Sequence, residues 1–360
     1  MQACTYHVLC INPGSTSTKI AVYQGSRSLF HMNIVHTEKE LEGFDKISEQ
    51  FSFRKEAILK ALKDNNVDLD CIEAVMGRGG LIKPVPSGVF EVNEALKRDL
   101  RNSPMGEHAS NLGGLIADDI AGHLPKARAF IADPVVVDEL DDIARISGNT
   151  NFERVSIFHA LNQKAIAREF ARIHSKKYED YNLIIAHMGG GITVGAHRKG
   201  KVVDVNQGLD GEGPFSPERS GTLPVGQLVD VCYSGQYERK EVRKMITGRG
   251  GLVSYFGTNN ARKIEQGALA GDEKYKLVYE AMAYQVAKEI GAMFTVLKGE
   301  VDAIILTGGL AYSNYFTNLI SERVYKLAPM HVYPGEDEMK ALAMNAMRVL
   351  SGEVVPLVYE

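Results

Sequence analysis

Two glycine-rich turns, each set between apolar runs, carry the residues of this chain best suited to holding phosphate. The first is Asn12-Pro13-Gly14-Ser15-Thr16-Ser17-Thr18-Lys19, which offers hydroxyls, backbone N–H groups and one lysine. The second is His187-Met188-Gly189-Gly190-Gly191, where a histidine opens a run of three glycines. Glycine lets backbone approach a ligand closely, and consecutive N–H groups form a nest for anionic oxygen. An ordinary polar turn has the same composition, so the weight lies in finding two such loops in matching surroundings. A third turn, Thr307-Gly308-Gly309-Leu310, follows an apolar run and would let backbone lie close to a flat ring such as adenosine.

Neither loop is a standard nucleotide fingerprint. A Walker loop requires glycine immediately before the lysine, where this chain has Thr18, and a helix after it, where Ile20-Ala21-Val22-Tyr23 reads as a strand. A dinucleotide loop counted from Gly189 and Gly191 would need its third glycine at Val194, again with a helix to follow.

The elements around the loops repeat. Val8–Ile11 and Ile20–Tyr23 flank the first, Leu183–Ala186 and Ile192–Ala196 the second, and each unit continues through a tight turn into a further strand, at Ser28–Met32 and Val202–Val205. Helical spacing is predicted over Phe51–Asn65, Asn111–Leu124, Val155–Ile173 (with Phe158 and His159 near its start), Tyr275–Leu297 and Asp337–Leu350. Strands are expected at Cys71–Met76, ending on Gly77-Arg78-Gly79-Gly80, and at Arg128–Ala132, Val301–Leu306 and His331–Tyr333. The strand at Arg128–Ala132 ends on Asp133, where an open α/β sheet usually meets its ligand. Residues Gly208–Thr222 hold too many glycines and prolines for regular structure, and Arg219 lies among them.

At 360 residues and 44% hydrophobic content the chain suits two domains. Its 41 basic against 45 acidic residues, a net charge of -4, and the lack of a long basic run argue against a nucleic-acid partner. Cys4, Cys10, Cys71 and Cys232 are scattered and read as reduced thiols rather than zinc ligands or a disulfide framework. No apolar run is long enough to span a bilayer and no leader pattern opens the chain, so a cytoplasmic protein is expected.

Taken in order, NPGSTSTK, GRGG at Gly77–Gly80, ADP at Ala132–Pro134, FHALNQKA from Phe158, AHMGGG from Ala186, PERSG from Pro217, LTGGLAYS from Leu306 and PGEDEMKALA from Pro334 span nearly the whole chain. This ensemble resembles the acetate and butyrate kinase family, within the superfamily of sugar kinases, heat-shock chaperones and actin. The resemblance implies an α/β fold of two duplicated actin-like, ribonuclease H-like domains with a nucleotide cleft between them. Domain I would be residues 1–145 plus 340–360, and domain II, binding nucleotide, residues 146–339. The implied reaction is reversible transfer from ATP, with Mg2+, to a short-chain carboxylate, giving acyl phosphate and ADP. Small molecules are the implied partners, with neither nucleic acid nor membrane, and a homo-oligomer of two or more copies is expected. A carboxylate is already ionised at neutral pH, so it needs positioning and charge neutralisation rather than a general base.

By the same resemblance, Arg78 and Arg219 clamp the carboxylate and stabilise the moving phosphoryl group, a task suited to the guanidinium fork. His159 and His187 stand beside that phosphoryl. Asn12, Gly14, Ser15, Ser17, Lys19, Gly189, Gly190, Gly191, Gly308 and Gly309 form the nucleotide loops, and Asp133 lies near the metal. Of Glu336, Asp337 and Glu338, we take Glu338 as the metal-associated acid. Acetate kinases carry bulky aliphatic residues after the first arginine, whereas Gly79 and Gly80 follow Arg78 here. With Phe158 as an apolar wall, the missing side chains are expected to leave room for a longer acyl tail and to favour butyrate. Isobutyrate-type, acetate and propionate kinases are the alternatives, since each buried methylene contributes only about 0.8 kcal/mol. His108 falls where the family has a further histidine, but Gly106 and Glu107 beside it differ from the family pattern. An actin-like or chaperone-like ATPase acting on a protein partner is the alternative of a different class. A sugar kinase would need an aspartate base and has no use for two arginines at a carboxylate.

Overall fold

Short apolar runs near the N-terminus, separated by turns, fold as a meander. In the computed structural model, which describes residues 6–360, β1 (His7–Pro13), β2 (Ser17–Gln24) and β3 (Arg27–Val35) pair antiparallel in sequence order. β1 also pairs in parallel with β4 (Ile72–Arg78). The short β5 (Val89–Glu91) lies at the far edge, antiparallel to β6 (Arg128–Ala132), and the sheet order is β3-β2-β1-β4-β6-β5. β1 and β4 are almost continuously apolar and buried on both faces, as central strands flanked by helices must be. β3 alternates between half-buried and exposed residues because it forms the edge.

The second sheet repeats this plan. β7 (Asn182–Met188), β8 (Ile192–Arg198) and β9 (Lys201–Val205) form the meander, and β10 (Ala303–Gly308) and β11 (Met330–Pro334) add in parallel, giving β11-β10-β7-β8-β9. Read outward from the third strand of each meander, the first five positions of the two sheets have the same connectivity and direction.

The helices are α1 (Phe51–Asp64), α2 (Glu94–Asn102), α3 (Asn111–Ala121), α4 (Ala160–Ile173), α5 (Val225–Tyr233), α6 (Arg239–Ile246), α7 (Gly251–Phe256), α8 (Ala261–Leu269), α9 (Glu273–Val296), α10 (Asn314–Val324) and α11 (Glu338–Leu350), besides single turns. α1 buries Arg54, Ile58 and Leu62 at helical spacing. α9 lays Met282, Val286, Ile290 and Met293 into the second core against Val194 and Leu306. The helix expected from Val155 begins only at Ala160, with His159 as its cap residue, and Val155–Phe158 run without helical structure. No helix among the described residues is long and apolar enough to cross a membrane. Cys10, Cys71 and Cys232 are free thiols, and Cys4 lies outside the described residues.

Contacts divide the chain into one unit reaching Val137 and resuming at Asp337–Glu360, and a second unit of Asp138–Glu336. The sequence reading placed these divisions at 145/146 and 339/340. The segment from Asp138 belongs with the second sheet because Glu139 accepts from Val202 N–H and Lys164, and Asp141 N–H donates to the Val203 carbonyl. α11 returns to the first unit, where Met339, Leu342, Ala343 and Ala346 are buried beside β1 and β4.

Candidate functional site

The loop between β1 and β2 is held from behind by Arg54, a residue that sequence reasoning missed. This wholly buried guanidinium donates to the carbonyls of Gly14 (2.9 Å), Ser15 (3.1 Å) and Ser17 (3.1 Å) and to the Thr18 hydroxyl (3.0 Å), while Nε donates to Gln50 (2.9 Å). Burial holds its pKa below the ordinary arginine range. No carboxylate pairs with it among the described residues, so carbonyl dipoles offset its charge. A trans peptide sets each C=O antiparallel to the next N–H. Turning the Gly14 and Ser15 carbonyls onto Arg54 therefore turns the Ser15 and Thr16 N–H groups the other way, into an anion nest. Asn12 and Lys19 are cross-strand partners and share the sheet face opposite Thr18. The sequence signal for Arg54 was present: it is a charge on the apolar stripe of α1, in line with Ile58 and Leu62.

On the Asn12 face, Arg78 ends β4 and Glu338 begins α11. Arg78 Nη1 lies 2.8 Å from Glu338 Oε1 and donates to Asn12 Oδ1 at 3.3 Å, and Asn12 Nδ2 donates to Glu338 Oε2 at 2.6 Å. The three side chains close a ring of charge-assisted bonds that fixes the guanidinium. The neighbouring acids have other duties. Asp337 caps α11 by accepting from Lys340 N–H, and Glu336 belongs to the second unit. Both oxygens of Glu338 are engaged by Asn12 and Arg78, so its role in this structure is to hold Arg78.

Asp133 is buried immediately after β6, with φ of 39° in the left-handed region. Its Oδ1 accepts from the Ser87 hydroxyl at 2.6 Å and from Gly88 N–H at 3.0 Å, while its own N–H donates to the Gly88 carbonyl. Such strain persists only where surrounding bonds hold it, as these do. His108 is exposed and its Nδ1 accepts from Ser110 N–H at 3.1 Å, a turn at the start of α3.

Gly79 and Gly80 do not leave the space expected of them. A Cβ on Gly79 would lie 2.6 Å from Pro134 Cβ, and one on Gly80 would lie 2.4 Å from Asn111 Oδ1. The volume is already filled by the start of α3 and by Pro134. Gly77 shows the same demand, its absent Cβ falling 2.2 Å from the Gly113 carbonyl. Gly77 lets strand β4 pack backbone to backbone on α3, Gly79 admits Pro134 and Gly80 admits Asn111, so room for a longer acyl tail is not what they provide.

In the second unit His187 lies near the end of β7, opposite Thr193 of β8. Its Nδ1 is 2.8 Å from Asn162 Oδ1 and its Nε2 is 3.2 Å from Glu336 Oε2, so both nitrogens face oxygen acceptors. His159 stacks on it with centroids 3.9 Å apart. Arg219 lies across Gly191: a Cβ there would fall 1.8 Å from Nη1. The same nitrogen donates to the Gly208 carbonyl at 2.7 Å. Loss of water around Arg219 holds its pKa down against the opposing pull of Glu218. Ser216 Oγ donates to the Gly190 carbonyl at 2.6 Å, tying the arginine-bearing loop to the glycine turn. Gly189 N–H donates to the Gly191 carbonyl at 2.9 Å, which closes that turn. Phe158 is buried beside His159. Gly308, at φ 92°, meets the Met188 carbonyl, whereas a Cβ on Gly309 would meet nothing within 4 Å, so of this pair Gly309 faces open space.

Within each unit, then, the structure gathers the residues singled out by type: Asn12, Arg78 and Glu338 in one, and His159, His187, Gly191 and Arg219 in the other. Two α/β units of one strand order, each with glycine turns and cationic groups at its strand ends, define a duplicated actin-like fold of the kinase kind. Residues 152–343 match the acetokinase family. Butyrate kinase 2 of Clostridium acetobutylicum is 55% identical over 348 residues, covering 97% of this chain and 98% of that protein. The chain belongs to the acetokinase family. Among solved structures, acetate kinase of Porphyromonas gingivalis shares the fold with a TM-score of 0.78 at 19% identity, over 96% of this chain and 100% of that one. A propionate kinase from Francisella tularensis does so with a TM-score of 0.76 at 18% identity, over 94% and 98%.

Proposed function

We propose that this protein transfers the terminal phosphoryl group of ATP to butyrate, reversibly, giving butyryl phosphate and ADP. The observation that carries the reading is the 55% identity to a butyrate kinase over 97% of the chain. The residues support it chemically. The acceptor carboxylate is ionised before it binds, so the chain needs cations and N–H donors rather than a base. Arg78, steadied by Asn12 and Glu338, is assigned to the acid. Arg219 and the histidine pair are assigned to the oxygens of the transferred phosphoryl, where preorganised donors lower the barrier. The Asn12–Lys19 loop, Gly189–Gly191 and Gly308–Gly309 are assigned to the nucleotide, and Phe158 to the apolar side of the acid. In this reading the unit that reaches Val137 and resumes at Asp337–Glu360 and the unit of Asp138–Glu336 are the two actin-like domains, the second holding the nucleotide.

We assign Mg2+ to the phosphates of ATP, since an ion that keeps most of its waters and arrives on the nucleotide needs few protein ligands. Such an ion would neutralise phosphate charge, with Asp133 the acid nearest to it in this assignment and Glu338 acting through Arg78. We place the enzyme in the cytoplasm, as a homo-oligomer working in short-chain fatty-acid metabolism.

The test is ATP-dependent hydroxamate formation, with hydroxylamine trapping the acyl phosphate, across linear and branched acids of two to six carbons. The expected result is highest kcat/KM for butyrate. A maximum at isobutyrate or at acetate would replace the named acid while keeping the reaction. Absence of acid-dependent hydroxamate would overturn the reaction itself.

A further inference from the structure

Beneath the histidine pair runs a chain of buried side chains with no part in the assignments above. His159 Nδ1 lies 2.9 Å from the Thr193 hydroxyl; Gln163 Nε2 lies 2.9 Å from that hydroxyl and 3.0 Å from the Thr193 carbonyl. Gln163 Oε1 lies 2.9 Å from His197 Nε2, and His197 Nδ1 lies 2.6 Å from the Tyr178 hydroxyl. Gln163, Thr193 and His197 have no exposed surface, so each group must be satisfied within this chain.

One fixed point sets the direction of every bond. The Thr193 carbonyl only accepts, so the Gln163 atom facing it is the amide NH2 and the atom facing His197 is the amide oxygen. His197 Nε2 must then carry a proton. Burial, with Lys164 and Arg168 adding to it, holds His197 neutral by lowering its pKa well below the usual histidine value, so Nδ1 accepts from the Tyr178 O–H. At the other end, the Thr193 oxygen receives Gln163 Nε2–H and, at 3.5 Å, the His159 backbone N–H. Of the three groups around this hydroxyl among the described residues, only His159 Nδ1 can accept, so the hydroxyl hydrogen goes there. Gly195, between Thr193 and His197 on the same face of β8, makes room for the relay, since a Cβ there would fall 2.6 Å from Gln163 Oε1.

The geometry points to a one-way hydrogen-bond relay, Tyr178 to His197 to Gln163 to Thr193, that holds His159 as the neutral tautomer with its proton on Nε2. Thr193, Gln163 and His197 are positioning residues, and together they set the proton of His159 on Nε2. His159 stacks on His187 with centroids 3.9 Å apart, and His187 meets Asn162 Oδ1 and Glu336 Oε2 through its own two nitrogens. The assignment of that Nε2–H to a phosphoryl oxygen rests on the function proposed above; the tautomer itself does not.

The decisive measurement is long-range 1H–15N correlation on the wild-type protein labelled with 15N-histidine, without substrate, with His159 identified by the signal lost in His159→Gln. The expected pattern at neutral pH is protonated Nε2 and bare Nδ1. A proton on Nδ1, alone or with Nε2, would overturn the proposal. Because no turnover is involved, failure of the butyrate reading leaves this result standing. A second arm uses Thr193→Val, which keeps the β-branched shape but loses the hydroxyl, beside Thr193→Ser, which keeps it. Valine should release the tautomer and lower kcat on the order of 10- to 100-fold with the KM for ATP little changed, while serine should retain the wild-type tautomer and most of kcat. Equal losses in both variants, or a wild-type tautomer in the valine variant, would reduce Thr193 to a packing residue and overturn the relay.

Discussion

Gly191 has no side chain because Arg219 occupies the place where one would stand. A Gly191→Ala variant puts a methyl 1.8 Å from Nη1 and 2.4 Å from Cζ, so the guanidinium must leave its position over the turn. Turnover should fall on the order of 100-fold with the circular-dichroism spectrum unchanged, and a normal kcat would show that the arginine's place over Gly191 is immaterial. Glu338 poses a different question, because its oxygens already serve Arg78 and Asn12. Glu338→Gln keeps a carbonyl acceptor and removes the charge facing the guanidinium. If the residue acts through Arg78, the KM for butyrate rises and kcat falls while the Mg2+ concentration giving half-maximal rate stays put. A large rise in that Mg2+ requirement would instead make Glu338 a metal ligand.

At the scale of elements, the loop between β1 and β2 depends on a helix that lies behind it. α1 brings Arg54 under the turn, where its guanidinium holds the carbonyls of Gly14, Ser15 and Ser17 and the Thr18 hydroxyl and so sets the direction of three peptide planes. Replacing Arg54 with Met keeps the length and apolar stem but leaves those carbonyls unpaired, at about 1–3 kcal/mol for each buried group. We expect a lowered thermal midpoint together with a raised KM for ATP and an unchanged KM for butyrate. Equal effects on both KM values would show general loosening rather than a loop-specific role. The glycines at and just after the end of β4 argue likewise, since Gly77, Gly79 and Gly80 admit the α3 backbone, Pro134 and Asn111 in turn. The space such glycines leave is visible only once the opposite wall is known.

For the molecule as a whole, acid should be the weak side. His197 is fully buried and its pKa is well below the ordinary histidine value, chiefly through burial. The unfolded chain takes up a proton near pH 6.5 that the folded chain refuses. Stability is therefore complete above that pH and declines below it, by about 1.4 kcal/mol per pH unit for one such group. His36 and His331 are shifted in the same direction, with burial again the first cause. Urea midpoints should be nearly constant from pH 7.5 to about 6.5 and fall from there to pH 5.5, and a flat profile throughout would mean that these rings are protonated in the fold. At the same scale, α11 completes the first core and delivers Glu338 to Arg78.

The duplicated strand-loop-strand unit and most strands were legible in the sequence, because apolar runs and glycine turns are local properties of the chain. The motifs that mark the family are likewise contiguous runs. Tertiary structure alone decided which partner each side chain meets. Glu336, Asp337 and Glu338 are consecutive, yet one faces His187, one caps a helix and one holds Arg78. Successive residues entering a helix turn by about 100°, so adjacent acids look toward different surroundings that composition cannot name. Arg54 under its loop, Pro134 and Asn111 against Gly79 and Gly80, and the relay behind His159 are of the same kind. Each pairs groups distant in sequence, and only the packed sheet and helices bring them within bonding distance.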